Sequence, residues 1–282
     1  MSPYPTIDPR TNEPLPADFL VAQHPEDYTD GDHETWRTLF DRQSALLRGR
    51  VVDEFHAGLK ALGIGPGRIP DFRDINGVLS QATGWTVVAV PGLVPDDVFF
   101  AHLAARRFPA GYWIRKPEQL DYIEEPDIFH DVFGHVPLLM QPRYADYIAE
   151  YGRAGLNLAG QPALSNLARL YWYTVEFGLM QTAAGLRIFG AGIISSAGET
   201  VYSLESPKPA RVRFDTARVL RTLYKIDDFQ RIYFVLSGYD DLPELTGGEL
   251  ERVIAVARQH DDIAPGQIVD ADRIVSAPGD MH

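Results

Sequence analysis

The fourteen residues PDIFHDVFGHVPLL, Pro126 to Leu139, constrain this fold more than any other stretch. The segment is rich in aromatic and aliphatic side chains, yet it carries two imidazoles, His130 and His135, among them. A ring nitrogen taken out of water without a partner is costly, so the fold has to give each imidazole a hydrogen-bond partner or a shared ligand. A structural role requires two separate partners. A metal requires a third ligand from elsewhere in the chain.

On a regular helix, side chains five apart point roughly 140° away from each other with about 7.5 Å of rise, an awkward pair for one ion. The zinc proteases use a step of four, with a catalytic Glu directly after the first His. Here the step is HDVFGH and Asp131 takes the Glu position, so that reading fails. Gly134, immediately before His135, points instead to a local distortion that could swing the second ring round.

The candidate third ligand is Glu176, the one carboxylate of LYWYTVEFGL, Leu170 to Leu179. A lone Glu in such apolar company must be paired, protonated or bound to metal. Two imidazoles and a carboxylate would make the facial triad typical of non-haem Fe(II) oxygenases, which leaves coordination positions open. Residue chemistry alone accommodates a buried ion pair with Arg169 or Arg187 equally well.

Composition narrows the partners. The chain has 282 residues, 45% hydrophobic and 23% charged, enough for a sizeable core. Its net charge of −13 argues against nucleic acid or an anionic membrane as partner. With no cysteine, thiolate ligands and disulfides are excluded, and a metal must be held by His, Asp, Glu or water. The polar, proline-rich start lacks the pattern of a signal peptide, and no apolar run is long enough to span a bilayer. These features lead us to expect a cytoplasmic protein.

Along the chain, prolines at 3, 5, 9, 14 and 16 predict an extended arm over residues 1–30. Apolar residues at steps of three and four predict one long helix from His33 to about Leu62. WTVVAV reads as a buried strand, and Pro95-Asp96-Asp97 as a helix start. Two further helices are predicted over RYADYIAEYGRAGLNL and, as one long element, ALSNLARLYWYTVEFGLMQTAA. RIFGAGII reads as strand and turn, RVRF and RIYFVL as short strands, and GGELERVIAVARQ as a last helix. The fold class is therefore mainly α with a few short β-strands. No internal linker is evident, so a single domain over residues 31–262 is expected, followed by a loose tail, 263–282. Six further histidines, His24, His33, His56, His102, His260 and His282, sit singly and need no special role.

EPDIFHDVFGHVPLL, LYWYTVEFGL and FGAGIISSAGE, in that order and spacing, resemble the catalytic domain of the biopterin-dependent aromatic amino acid hydroxylases. The likeness runs from about Trp85 to Val235, and the compact length is similar to that of the bacterial phenylalanine 4-hydroxylase branch. It implies Fe(II) held by His130, His135 and Glu176, with tetrahydrobiopterin and O2 as co-substrates. PGLVPDDVFF resembles the pterin-binding segment, with backbone at Gly92 and Leu93 meeting the pterin edge and Phe99 stacking on its ring. Asp96 and its neighbours depart from the Ser-rich residues of animal enzymes. Tyr171 would lie near the iron. The resemblance also implies that Arg115 binds the substrate carboxylate, a task suited to its planar fork. Pro126, Trp172, Ser195 and Ile226 would contact the amino acid, with Asp131 and Glu199 behind them.

The family chemistry divides O2 between the pterin and an aromatic ring. Trp172 resembles the phenylalanine and tyrosine hydroxylases, and Ile226 stands where tyrosine hydroxylases carry an acid, so L-phenylalanine is the expected substrate. The alternatives within the family are tryptophan hydroxylation and 3-hydroxylation of phenylalanine. Outside it stand a Zn²⁺ hydrolase and a non-catalytic binding protein. Without sustained heptads near the end, and with no room for the animal regulatory domain, a monomer is expected.

Overall fold

A computed structural model describes residues 4–121, 123–246 and 248–275, and the chain falls into two compact units. The first comprises residues up to 44 together with 53–159, and the second 45–52 together with 160 onward.

In the first unit the arm has little regular structure beyond a 3-10 turn at Pro25–Asp27, and Val21 bridges to Ala89. Helix α1 spans Asp30–Leu47 and α2 spans Asp53–Ala61. The single long helix expected here is broken. In the 45–52 segment, which belongs to the second unit, Gly49 adopts a left-handed backbone at φ 69°, and Val51 pairs with Ile188 of that same unit as an isolated bridge. Those backbone groups are drawn into sheet-like hydrogen bonds that helical periodicity cannot reveal.

Asp71 caps α3 (Phe72–Thr83) by accepting from the Arg73 N–H, and Gly84 closes it in the left-handed conformation. Strand β1 (Thr86–Val90) pairs in parallel with β2 (Arg107–Gly111), and α4 (Asp96–Ala104) forms the crossover. Helix α4 starts where proline and paired acids predicted, and packs on α5 (Pro142–Leu158). Gly155 makes this close packing possible: a Cβ there would lie 2.1 Å from the Phe100 ring.

The Pro126–Leu139 segment is central to this unit. Phe129–His135 winds as a π-helix and Val136–Met140 as a 3-10 turn. Trp36 and Phe40 of α1, Phe55 of α2, and Phe129 and Phe133 pack together, the last two stacked at 4.6 Å. Helix α2 reaches Pro137 so closely that a Cβ on Gly58 would lie 2.1 Å from its carbonyl oxygen.

The second unit opens with α6 (Leu164–Tyr171), which passes into a π-helical turn over Trp172–Glu176 and then into β3 (Leu179–Thr182). The long helix expected here therefore also ends early. Gly178 admits the Phe189 ring, and its N–H reaches Thr174 as the chain turns into the sheet. A hairpin leads to β4 (Gly185–Ile188), followed by α7 (Ala191–Ile194), α8 (Ala197–Glu205), β5 (Ala210–Arg213), α9 (Thr216–Arg221) and β6 (Ile232–Leu236). The sheet order is β4-β3-β6-β5, antiparallel only at the hairpin. Short α10 (Leu242–Thr246) and α11 (Leu250–Ala257) follow.

Residues 263–275, expected to be loose, are tied down. Ile263 exchanges backbone bonds with the Arg221–Leu223 segment, Asp272 pairs with Arg218 at 2.9 Å, and Val275 donates to Arg211 at 2.7 Å. The rest of the expected tail, 276–282, lies outside the described residues, as do residues 1–3 of the arm. Among the described residues no helix is long and apolar enough to cross a membrane.

Candidate active site

The π-helical winding resolves the awkward spacing of the two histidines. A π-turn closes i→i+5 hydrogen bonds, so residues five apart come back to nearly the same side. The Nε2 atoms of His130 and His135 accordingly lie 3.2 Å apart with the rings at 83°. His135 is buried against Phe108, while His130 is partly exposed.

Asp127, just before the turn, holds this region together. Fully buried, it accepts from the Arg115 Nε and Nη2 at 2.8 Å, the Arg115 N–H at 2.9 Å and the His130 N–H at 3.1 Å. One carboxylate thus fixes the expected substrate arginine and the backbone of a histidine. Asp131 accepts from the Gly111 N–H at 2.8 Å, anchoring the end of β2. Glu125 accepts from the Leu93 N–H at 3.1 Å and comes so near Gly92 that a Cβ there would lie 2.7 Å from its carboxylate. Leu93 is half-exposed, and Phe99 meets Phe100 edge-on at 6.0 Å. Pro126 and Phe99 are both partly exposed.

In the second unit Glu176 ends the π-turn of Trp172–Glu176, and two glycines make room for it. A Cβ on Gly190 would lie 2.4 Å from the Glu176 carbonyl oxygen, and one on Gly192 would lie 3.2 Å from its carboxylate. The ion pair considered for Glu176 is not the arrangement found for Arg169, which gives both terminal nitrogens to Asp262 at 2.6 and 2.9 Å. Arg187 donates to the Leu186 carbonyl.

Trp172 stacks on Tyr224 at 4.3 Å and 14°, and its Nε1–H donates to Gln230 at 3.0 Å. Ser195, nearly buried, donates to the Ala191 carbonyl at 2.9 Å. Tyr171 is the last residue of α6 and is partly exposed. Glu199 is buried and accepts from the Tyr233 hydroxyl and from the Gln230 N–H at 3.0 Å. Burial pushes its carboxyl above the ordinary carboxylate value, although those two hydrogen bonds oppose the shift. Ile226 is not gathered in: it is 76% exposed on the loop before β6.

His130, His135 and Glu176 each offer one ligand atom, and these lie within 4.8 Å of one another. Two imidazole nitrogens and a carboxylate oxygen, without thiolate, fit Fe(II) and leave positions open. Sequence reasoning missed Asp127 and Gln230. An Asp before a helix reads as a cap, and its guanidinium partner lies twelve positions earlier.

Residues 22–246 match the model of the biopterin-dependent aromatic amino acid hydroxylase family. The chain belongs to that family. The match runs through both compact units, which are therefore parts of one catalytic domain. The phenylalanine-4-hydroxylase of Caulobacter vibrioides is 54% identical over 276 residues, covering 95% of this chain and 92% of the relative. That of Ralstonia nicotianae is 52% identical, covering 96% and 86%. The Chromobacterium violaceum phenylalanine hydroxylase structure with bound oxidised Fe(III) superposes with a TM-score of 0.91 at 48% identity, covering 96% of this chain and all of that one. The same enzyme has been solved bound to cobalt, with a TM-score of 0.92.

Proposed function

We propose that this hydroxylase converts L-phenylalanine to L-tyrosine with O2 and tetrahydrobiopterin, at Fe(II) held by His130, His135 and Glu176. The observation that carries this reading is the convergence of those three ligand atoms in a chain about half identical to phenylalanine-4-hydroxylases along nearly its whole length. Bound there, Fe(II) with the reduced pterin supplies the electrons that activate O2.

The protein positions the reactants and keeps water from the reacting ring. Asp127 occupies the Nε side of Arg115 and holds the guanidinium still, leaving its Nη1 to meet the substrate carboxylate. Ser195 assists at the amino-acid end, and Pro126 and Trp172 face the ring. Gly92, Leu93, Phe99 and Tyr171 take the pterin, with Glu125 fixing the loop from behind. Asp131 and Glu199 brace the elements that carry these groups. The chain acts as a cytoplasmic monomer.

The deciding assay is incubation of Fe(II)-loaded enzyme with phenylalanine and tetrahydropterin in air, with chromatographic separation of the products. para-Tyrosine formed in step with pterin oxidation supports the reading. meta-Tyrosine, or 5-hydroxytryptophan from tryptophan in preference, transfers it to another branch of the family. A lack of pterin consumption refutes it.

A further inference from the structure

Gln230 is buried, at 5% exposure, and lies just before β6, yet its side-chain amide reaches three separate places. Its Oε1 accepts from the Trp172 indole at 3.0 Å. Its Nε2 donates to the Lys225 and Asp228 carbonyls at 3.0 and 3.3 Å, across the loop that carries Ile226. Its own N–H donates to Glu199, which also takes the Tyr233 hydroxyl. Both faces of the amide are thus engaged, which fixes which end is oxygen. An indole has only one donor, and a hydrogen bond to it selects one orientation of the ring in its own plane. The stack on Tyr224, itself at the start of the same loop, sets the tilt of that plane.

We infer that Gln230 is a positioning residue for substrate specificity. It locks the Trp172 ring and the Lys225–Asp228 loop into one rigid wall, and so determines which ring carbon of the aromatic substrate faces the reacting centre. This rests on the reading that Trp172 faces that ring. A wall that shifts by a fraction of an ångström re-aims the ring, because near-attack geometry tolerates little error. Loss of the amide therefore loosens regiochemistry and the coupling of pterin oxidation to product. It leaves the metal ligands and the pterin segment as they were.

The test compares the parent with Gln230→Met, which keeps the length and the backbone bond to Glu199 but makes none of the side-chain bonds. Trp172→Phe breaks the same indole bond from the other side and serves if Gln230→Met does not fold. In metal-free, ¹⁵N-Trp-labelled protein, the Trp172 Nε1–H resonance, assigned by its absence in Trp172→Phe, should move upfield in Gln230→Met. Its exchange with solvent should quicken about tenfold, as expected for a lost buried hydrogen bond. With Fe(II), phenylalanine and tetrahydropterin, Gln230→Met should form meta-tyrosine beside tyrosine. It should oxidise pterin in excess of product and raise KM for phenylalanine about tenfold, while KM for pterin stays within about twofold. An unchanged indole resonance, or unchanged product ratio and coupling, would overturn the inference with the proposed function intact. A parent that makes no hydroxylated amino acid removes the proposed function and this inference together, whatever the indole shows.

Discussion

A buried carboxylate that serves two partners is more consequential than either partner suggests. Asp127 is fully buried and neutralises Arg115, itself 6% exposed. Replacing it by alanine leaves an uncompensated guanidinium in the interior and removes the Asp127 acceptor from the His130 N–H. Breaking such a pair costs about 3–5 kcal/mol, so Asp127→Ala should lower the urea midpoint by that equivalent. Among molecules that still fold, KM for phenylalanine should rise more than kcat falls. Equal stability in parent and variant would show that water replaces the carboxylate.

His102 makes a second residue-scale prediction. The sequence set it among the unremarkable histidines, but it is buried in α4 and its Nε2 lies 2.8 Å from the Asp18 carbonyl of the arm. Burial depresses its pKa below the ordinary 6.5, with Arg107 adding to the effect and the Asp18 carbonyl opposing it. A depressed folded-state pKa means that the unfolded chain binds the proton more tightly. The associated stability is therefore present above about 6.5 and is lost as pH falls through the folded value. Unfolding free energy should decline over that acid window in the parent and decline less in His102→Gln; parallel curves would contradict this. The clue lay in the apolar run FFAHLA around the histidine. His130 and His135 stood out for the same reason, a polar ring in apolar company, whereas Asp127 could not be distinguished from an ordinary cap.

At the scale of elements, the two π-helical turns carry the candidate ligands, and both sit where a regular helix would aim the side chains elsewhere. The first was legible: Gly134 and a five-residue step called for a distortion. The second was hidden, because LYWYTVEFGLM continues a helical apolar pattern and only pairing of β3 with β4 and β6 ends it. The break after α1 has the same origin, a bridge to a strand more than a hundred residues away. Non-local pairing leaves no trace in periodicity. The glycines of FGAG have a demanding local role. Gly190→Ala would place a Cβ 2.4 Å from the Glu176 carbonyl and 2.5 Å from the Gly178 nitrogen, backbone atoms that cannot give way easily. Overpacking of this kind costs about 1–3 kcal/mol. The variant should unfold at lower urea and retain less iron after dialysis; full iron retention would show that the turn adapts.

For the whole molecule, family membership and the site chemistry agree on a chain whose folded state binds a metal that the unfolded state does not organise. A ligand of the native state alone stabilises by mass action. Fe(II) added anaerobically should therefore raise the thermal midpoint of the parent, and a chelator should reverse the gain. The family was legible because its motifs carry the chemistry in short contiguous stretches. The loop environment of Ile226 and the fixing of Trp172 by Gln230 were not, since they depend on contacts across tens of residues. Whether His130, His135 and Glu176 hold the metal is decided by Fe(II) stoichiometry, measured by anaerobic equilibrium dialysis of the parent, His130→Ala, His135→Ala and Glu176→Ala. About one Fe(II) per parent chain and loss of tight binding in each variant are the expected result. Binding in all three variants equal to the parent would contradict it.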